Sequence, residues 1–210
     1  MFYNPERPLR KLLNHLPHWQ QDGVFVFITW RLADSVPSGL LEKWRGERDI
    51  WLASHPLPWD AGTELQYHKR FSSQLEDWMD QGLGKCVLRD PESARIVAEG
   101  LLHFDTERYQ MDSFVIMPNH VHILIQMIPG FPIEKTVQSW KRIAARQINE
   151  VSGMTGSLWH KRYWDRLVRS EKHFWKIRRY IQRNPGKAHL REGEYLLYLP
   201  WDTERKDPRF

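Results

Sequence analysis

Alternation and periodicity in the apolar positions divide the chain into a small set of elements. Residues 24–31 (VFVFITWR) are rich in β-branched and aromatic side chains and follow Gly23, which predicts a strand. Residues 108–117 and 120–128 predict two more strands, joined at Pro118-Asn119 as a tight turn. Asp90 is suited to cap a helix opened by Pro91, with Ile96, Val97, Gly100 and Leu101 on one face. Residues 133–150 carry Ile133, Val137, Trp140, Ala144 and Ile148 at helical spacing. A short strand is expected near 164–169. A last helix over 171–184 has Phe174, Ile177 and Ile181 as its apolar stripe and is expected to stop at Asn184-Pro185-Gly186.

Two helical patterns break this series over residues 38–83. In the second, Leu65, Phe71, Leu75, Trp78 and Met79 fall near a 3.6-residue period. The block reads as a helical insertion. Without it the order is strand, helix, strand, strand, helix, strand, helix. The first six elements match a ferredoxin-like split βαβ arrangement: an α+β fold with an antiparallel sheet and helices on one face. The 210 residues suit one domain. The polar, basic residues 1–22 are expected to be an irregular lead-in, and about 192–210 a loosely ordered tail.

Composition narrows the class of function. A net charge of +5 and a pI near 9.3 favour polyanionic partners. The single cysteine, Cys86, excludes an internal disulfide and any multi-thiolate metal site. The opening MFYNPERPLRKLL lacks an apolar run of signal-peptide length, and no stretch approaches the roughly 20 apolar residues of a membrane span. A soluble, cytoplasmic protein with no membrane partner is expected.

Candidate chemistry begins at His120-Val121-His122. Strand alternation sends both imidazoles to one face and Val121, Ile123 and Ile125 to the other. Two imidazoles one strand-step apart can share a divalent ion, but two polar residues on a solvated face would look the same, and two ligands do not fill a shell. On the last helix, Tyr180 and Asn184 are four residues apart and share a face. They are equally compatible with a core-rim residue and a helix stop. His103, His160 and His173 are assigned no role.

Taken together, these segments resemble a known family. MPNHVHILI is similar to the histidine-hydrophobic-histidine (HUH) motif of single-tyrosine transposases. LWHKRYWDRLVRS followed by YIQRNP resembles the C-terminal signature of the REP-associated tyrosine transposases. The resemblance covers roughly residues 20–35 and 90–190 and leaves the 38–83 block outside it. It implies a metal pair at His120 and His122, a Tyr180 nucleophile, and Asn184 where related enzymes often carry a glutamine near the metal. It further implies Mg²⁺ or Mn²⁺ as cofactor and single-stranded DNA with hairpins, at repetitive extragenic elements, as partner. Monomer and homodimer stay open, as does whether the tyrosine serves its own or its partner's site.

A phenol with a pKa near 10 needs help to attack a phosphodiester. A cation on the two histidines would neutralise developing charge. Attack by Tyr180 would leave a 5′-phosphotyrosine and free a 3′-hydroxyl, so the strand can be rejoined without ATP. Asp165 and Glu171 lie near in sequence, with no geometric reason to name either as a base. Lys161, Arg162, Arg166, Arg169 and Arg183 are candidate DNA contacts, interleaved with Trp159, Tyr163 and Trp164 as stacking candidates; each suits a solvated face or the core as well. Two alternatives stand beside the strand-transfer enzyme: a non-cutting protein that grips hairpin DNA or structured RNA, and a hydrolase using water.

Overall fold

The computed structural model describes residues 2–14, 16–56 and 59–200. The chain starts with a two-stranded hairpin, β1 (Arg10–Asn14) and β2 (Leu16–Gln20), then enters β3 (Phe25–Arg31). Three helices follow: α1 (Ser38–Ser54), α2 (Ala61–Tyr67) and α3 (Ser73–Asp80), the last two joined by a π-helical turn over His68–Ser72. Then come α4 (Pro91–Leu102), β4 (Tyr109–Ile116), β5 (His120–Met127), α5 (Ile133–Ser152), β6 (Trp164–Leu167), α6 (Glu171–Lys187) and β7 (Leu196–Tyr198).

The main sheet has the order β6-β3-β5-β4-β7, antiparallel at every pairing. Its first four strands, with α4 and α5, are the split βαβ unit that the apolar pattern predicts. Local chemistry places the elements. The Asp90 carboxylate accepts from Ser93 N at 2.9 Å and caps α4 behind Pro91. Met117 N donates to His120 O across the Pro118-Asn119 turn, which starts β5 at His120. Gly153, at φ 65°, ends α5 in the left-handed region.

Two apolar layers cover the sheet. On one face Val26, Ile28, Trp30, Val121, Ile123 and Ile125 pack with α4 and α5, whose buried stripes include Ile96, Val97, Val137 and Trp140. On the other, Phe25, Phe27, Val115 and Leu124 pack with Phe174, Ile177 and Ile181 of α6. The helices therefore cover both faces, in contrast to the one-sided arrangement expected from the first six elements, because α6 carries its own apolar stripe back under the open face. Trp30 is 2% exposed, stacked on Trp140 and edge-on to Trp159. Each such side chain contributes about 1.5–3 kcal/mol by burial.

Other boundaries differ from the sequence reading. The lead-in holds the β1–β2 hairpin instead of irregular chain. The expected loose tail holds β7, which pairs with β4 and stacks Tyr198 on Phe114 at 4.8 Å; residues 201–210 lie outside the described residues. Helix α6 runs through Pro185 to Lys187: the ring removes one N–H and crowds the carbonyl a turn earlier, but only the final residues follow it, and Ala188 N still reaches Asn184 O at 3.0 Å. Leu65 is exposed, off the buried stripe of the insertion, whose core is Trp44, Trp51, Tyr67 and Phe71. Among the described residues no helix is long and apolar enough to cross a membrane.

Candidate active site

Strand alternation sets His120 and His122 on the face that α6 covers. His122 lies directly opposite Thr29 of β3, and its Nδ1 is 2.7 Å from Thr29 Oγ1. His120 Nδ1 is 2.7 Å from Asn119 Oδ1, and Asn119 is itself tied to Leu83 O through Nδ2 at 3.0 Å. Both imidazoles are thus held by Nδ1, and both present Nε2 to the same space. The rings sit 4.7 Å apart, centroid to centroid. Such orientation of an imidazole through its other nitrogen is the usual support of a metal ligand.

Helix α6 brings the phenol. The Ile177 and Ile181 stripe seats it on Phe27 and Leu124, and Tyr180 then projects toward β5. Its hydroxyl is 3.3 Å from His122 Nε2, within a single chain, and its ring lies edge-on to Phe27. Asn184, one turn later and 1% exposed, lies by the same phenol, and its Oδ1 has no hydrogen-bond partner among the described residues.

The insertion supplies the fourth wall, which the sequence reading left without a role. Asp80, at the end of α3, puts Oδ1 3.9 Å from His120 Nε2, while its Oδ2 is 2.8 Å from Lys187 Nζ. Glu76, one turn earlier, lies close enough to the Tyr180 phenol for each to shift the other's ionisation. The i, i+4 spacing of Glu76 and Asp80 in SQLEDWMDQG is the signal that could have found them. Asp165 and Glu171 do not share this place. Asp165 pairs with Ile28, whose side chain points to the opposite face, and Glu171 lies near Trp175 Nε1 at the start of α6.

Burial dominates the site's electrostatics. It pushes the His120 imidazole down to about 3 and the His122 imidazole well below its ordinary range, so both are neutral lone-pair donors at pH 7. Burial pushes the Glu76 carboxyl up to about 7, against the pull of Lys187. The phenol of Tyr180 is pushed well up, first by burial and then by the charges of Glu76 and Asp80, with Asn184 acting in the other direction.

Among the described residues no three His, Cys, Asp or Glu side chains form a ready metal cluster. The donor set nevertheless fits a divalent cation. His120 Nε2, Asp80 Oδ1 and Asn184 Oδ1 are buried polar atoms without hydrogen bonds, which is costly unless something else engages them. Imidazole nitrogen is a ligand of first-row divalent metals, and carboxylate and amide oxygens are donors to hard divalent cations.

Of the candidate DNA contacts, Lys161, Arg162, Arg169 and Arg183 are exposed and Arg166 is half-buried in β6. Trp159 is core, donating to Lys141 O at 2.9 Å, whereas Trp164 packs edge-on to Phe27 beside the site. His103 packs on Phe104, and His173 Nδ1 accepts from Arg169 N.

The class defined here is an antiparallel α+β sheet that joins two strand-borne imidazoles to a phenol from a covering helix. Residues 95–184, which contain all of these groups from the sheet and α6, match a family described as IS200-like transposase. An uncharacterized protein of Haemophilus influenzae is 28% identical over 97 residues, a match covering 36% of this chain and 54% of that protein, so only about half the relative's length is matched. A solved REP-associated tyrosine transposase bound to a REP hairpin aligns with a TM-score of 0.47 and 12% identity, over 83% of this chain and 74% of that one.

Proposed function

We propose that this protein is a metal-dependent, single-tyrosine endonuclease and transposase that cleaves and rejoins single-stranded DNA at hairpin-forming repetitive elements. The observation that carries the proposal is the Tyr180 hydroxyl 3.3 Å from the Nε2 of an imidazole whose Nδ1 is already engaged. His120, His122, Asn184 and Asp80 would hold Mg²⁺ or Mn²⁺, which when bound supplies charge neutralisation at the phosphate.

The chain's own residues account for the rest. Glu76, which lies beside the phenol and whose carboxyl burial pushes up to about 7, takes the phenol proton once the hydroxyl turns from His122 Nε2. The Tyr180 oxygen attacks phosphorus, the bond to the 3′-oxygen breaks, and that oxygen takes up a proton to become a 3′-hydroxyl. The phosphate stays on Tyr180 as a 5′-phosphotyrosine, and a 3′-hydroxyl attacking the adduct restores both partners. No net bond energy is lost, which suits strand exchange without ATP.

The test is incubation with Mn²⁺ and a hairpin-flanked oligonucleotide, resolved on a denaturing gel. A covalent adduct is expected, absent in Tyr180→Phe. An undiminished adduct in that variant refutes the assignment. Cleavage without any protein-linked phosphate would instead show water as the nucleophile.

A further inference from the structure

Beside the tyrosine site, the β3–β6 edge of the sheet and the helical insertion enclose a cavity of about 110 Å³. It shares Thr29 and Glu76 with the site, and Trp44 and Trp164 are among its walls. Trp44 is fixed by its Nε1 donating to Phe71 O at 3.1 Å, and Trp164 by its contact with Phe27.

Counter-charge around the cavity is sparse: Asp34 attracts Arg31 from beyond ion-pair distance, and Glu76 is the carboxylate on the wall. Arg31 is 5% exposed, and among the described residues only its Nη1 is hydrogen-bonded, to the neutral oxygens Leu32 O (3.2 Å) and Ser35 Oγ (3.0 Å). Among the described residues Arg31, Arg45 and Arg162 have no carboxylate at ion-pair distance, whereas Arg48, on the same wall, is paired with Asp49 at 2.7 Å and lies over the Trp44 ring. Burial first, and then repulsion by Arg45, push the Arg31 guanidinium down to about 10, against the pull of Asp34. A buried guanidinium with no carboxylate at ion-pair distance and a second guanidinium nearby is costly, and an anion between them lowers the cost. Cations interleaved with aromatic faces suit a nucleotide, since phosphate meets the first and any base stacks on the second.

We propose that this cavity seats one nucleotide of the single DNA strand adjacent to the scissile phosphate, its phosphate on Arg31, Arg45 and Arg162 and its base against Trp44 and Trp164. This rests on the strand-transfer reading of the Tyr180 site. It also assigns a role to the insertion, which builds one wall of the active site and one wall of this cavity.

The experiment is fluorescence anisotropy of a labelled, hairpin-flanked oligonucleotide on the full chain carrying Tyr180→Phe, so that binding is read without cleavage. Bases are removed one position at a time. One abasic position is expected to weaken binding roughly tenfold. The Arg45→Glu/Arg162→Glu pair, both exposed and checked for an unchanged melt, is expected to weaken the intact oligonucleotide at least about tenfold. It should also flatten the abasic scan. Uniform sensitivity to base removal, or wild-type affinity in the charge-reversed protein, overturns the proposal, as does tighter binding of the RNA of the same sequence. The two readings fail separately. If the wild-type tyrosine forms its adduct in full yield on every abasic substrate, and does so with the charge-reversed protein as well, the cavity proposal falls and the Tyr180 reading stands. If no adduct forms, the scan still decides the cavity.

Discussion

Thr29→Val isolates the support of the catalytic imidazole. Valine has nearly the volume of threonine and suits a strand, so the change removes one hydroxyl without opening a cavity. In the wild type the Tyr180 hydroxyl is placed to donate to His122 Nε2, which makes Nε2 the acceptor and Nδ1 the protonated nitrogen, donating to Thr29 Oγ1 at 2.7 Å. His122 is 0% exposed, so in the variant that N–H has no water to turn to. Leaving a buried donor unpaired costs about 1–3 kcal/mol, or roughly five- to 150-fold in the folding equilibrium. The same loss frees the ring to rotate or change tautomer, and removal of such a supporting partner weakens metal affinity by about 10- to 100-fold. Urea unfolding reads the first effect and calorimetric Mn²⁺ titration the second. Thr29→Ser keeps the acceptor and should retain most of the affinity. Refutation is Thr29→Val that unfolds and binds Mn²⁺ as the wild type does.

Four further outcomes follow from the same geometry. Asp80→Asn keeps the shape and removes a charge 3.9 Å from His120 Nε2, so Mn²⁺ affinity should fall at least about tenfold; an unchanged titration would remove Asp80 from the ligand set. The His120 and His122 resonances of ¹³Cε1-histidine-labelled protein should not titrate between pH 8 and 5, since burial holds His120 down to about 3 and His122 well below its usual range; a transition near 6.5 would contradict the burial. Adduct formation should rise with pH through about 7 as Glu76 ionises, and Glu76→Gln should be slower with that rise lost. Because the folded-state value of Glu76 lies above its ordinary 4.5, its contribution to stability is complete below about 4.5 and is lost as pH rises through about 7; urea midpoints of wild type and Glu76→Gln should differ in slope across that window.

The elements of the split βαβ unit could be read from the chain because each obeys a local rule. Val121, Ile123 and Ile125 alternate with His120 and His122, and period two by itself assigns them to opposite faces. The Asp90-Pro91 start of α4 and the Pro118-Asn119 turn are likewise decided within a few residues. The β1–β2 hairpin and β7 escaped because short strands at a sheet's margin are specified by their pairing partners more than by their own composition. Pro185 misled for a related reason: a proline ends a helix only where the rest of its turn has no other support, and here Pro185 and Asn184 are buried.

What the sequence determined alone is the inventory of chemistry: two imidazoles one strand-step apart, and a phenol and an amide one helical turn apart. What tertiary structure decided is their meeting. The separation of 58 residues between His122 and Tyr180 is closed by the apolar stripe of α6 settling on Phe27 and Leu124. Glu76 and Asp80 join them only because α3 of the insertion docks where α6 ends, with Lys187 bridging Asp77 and Asp80. Periodicity carries information along one element. Which elements face one another depends on how several apolar faces are buried at once, and no single segment encodes that.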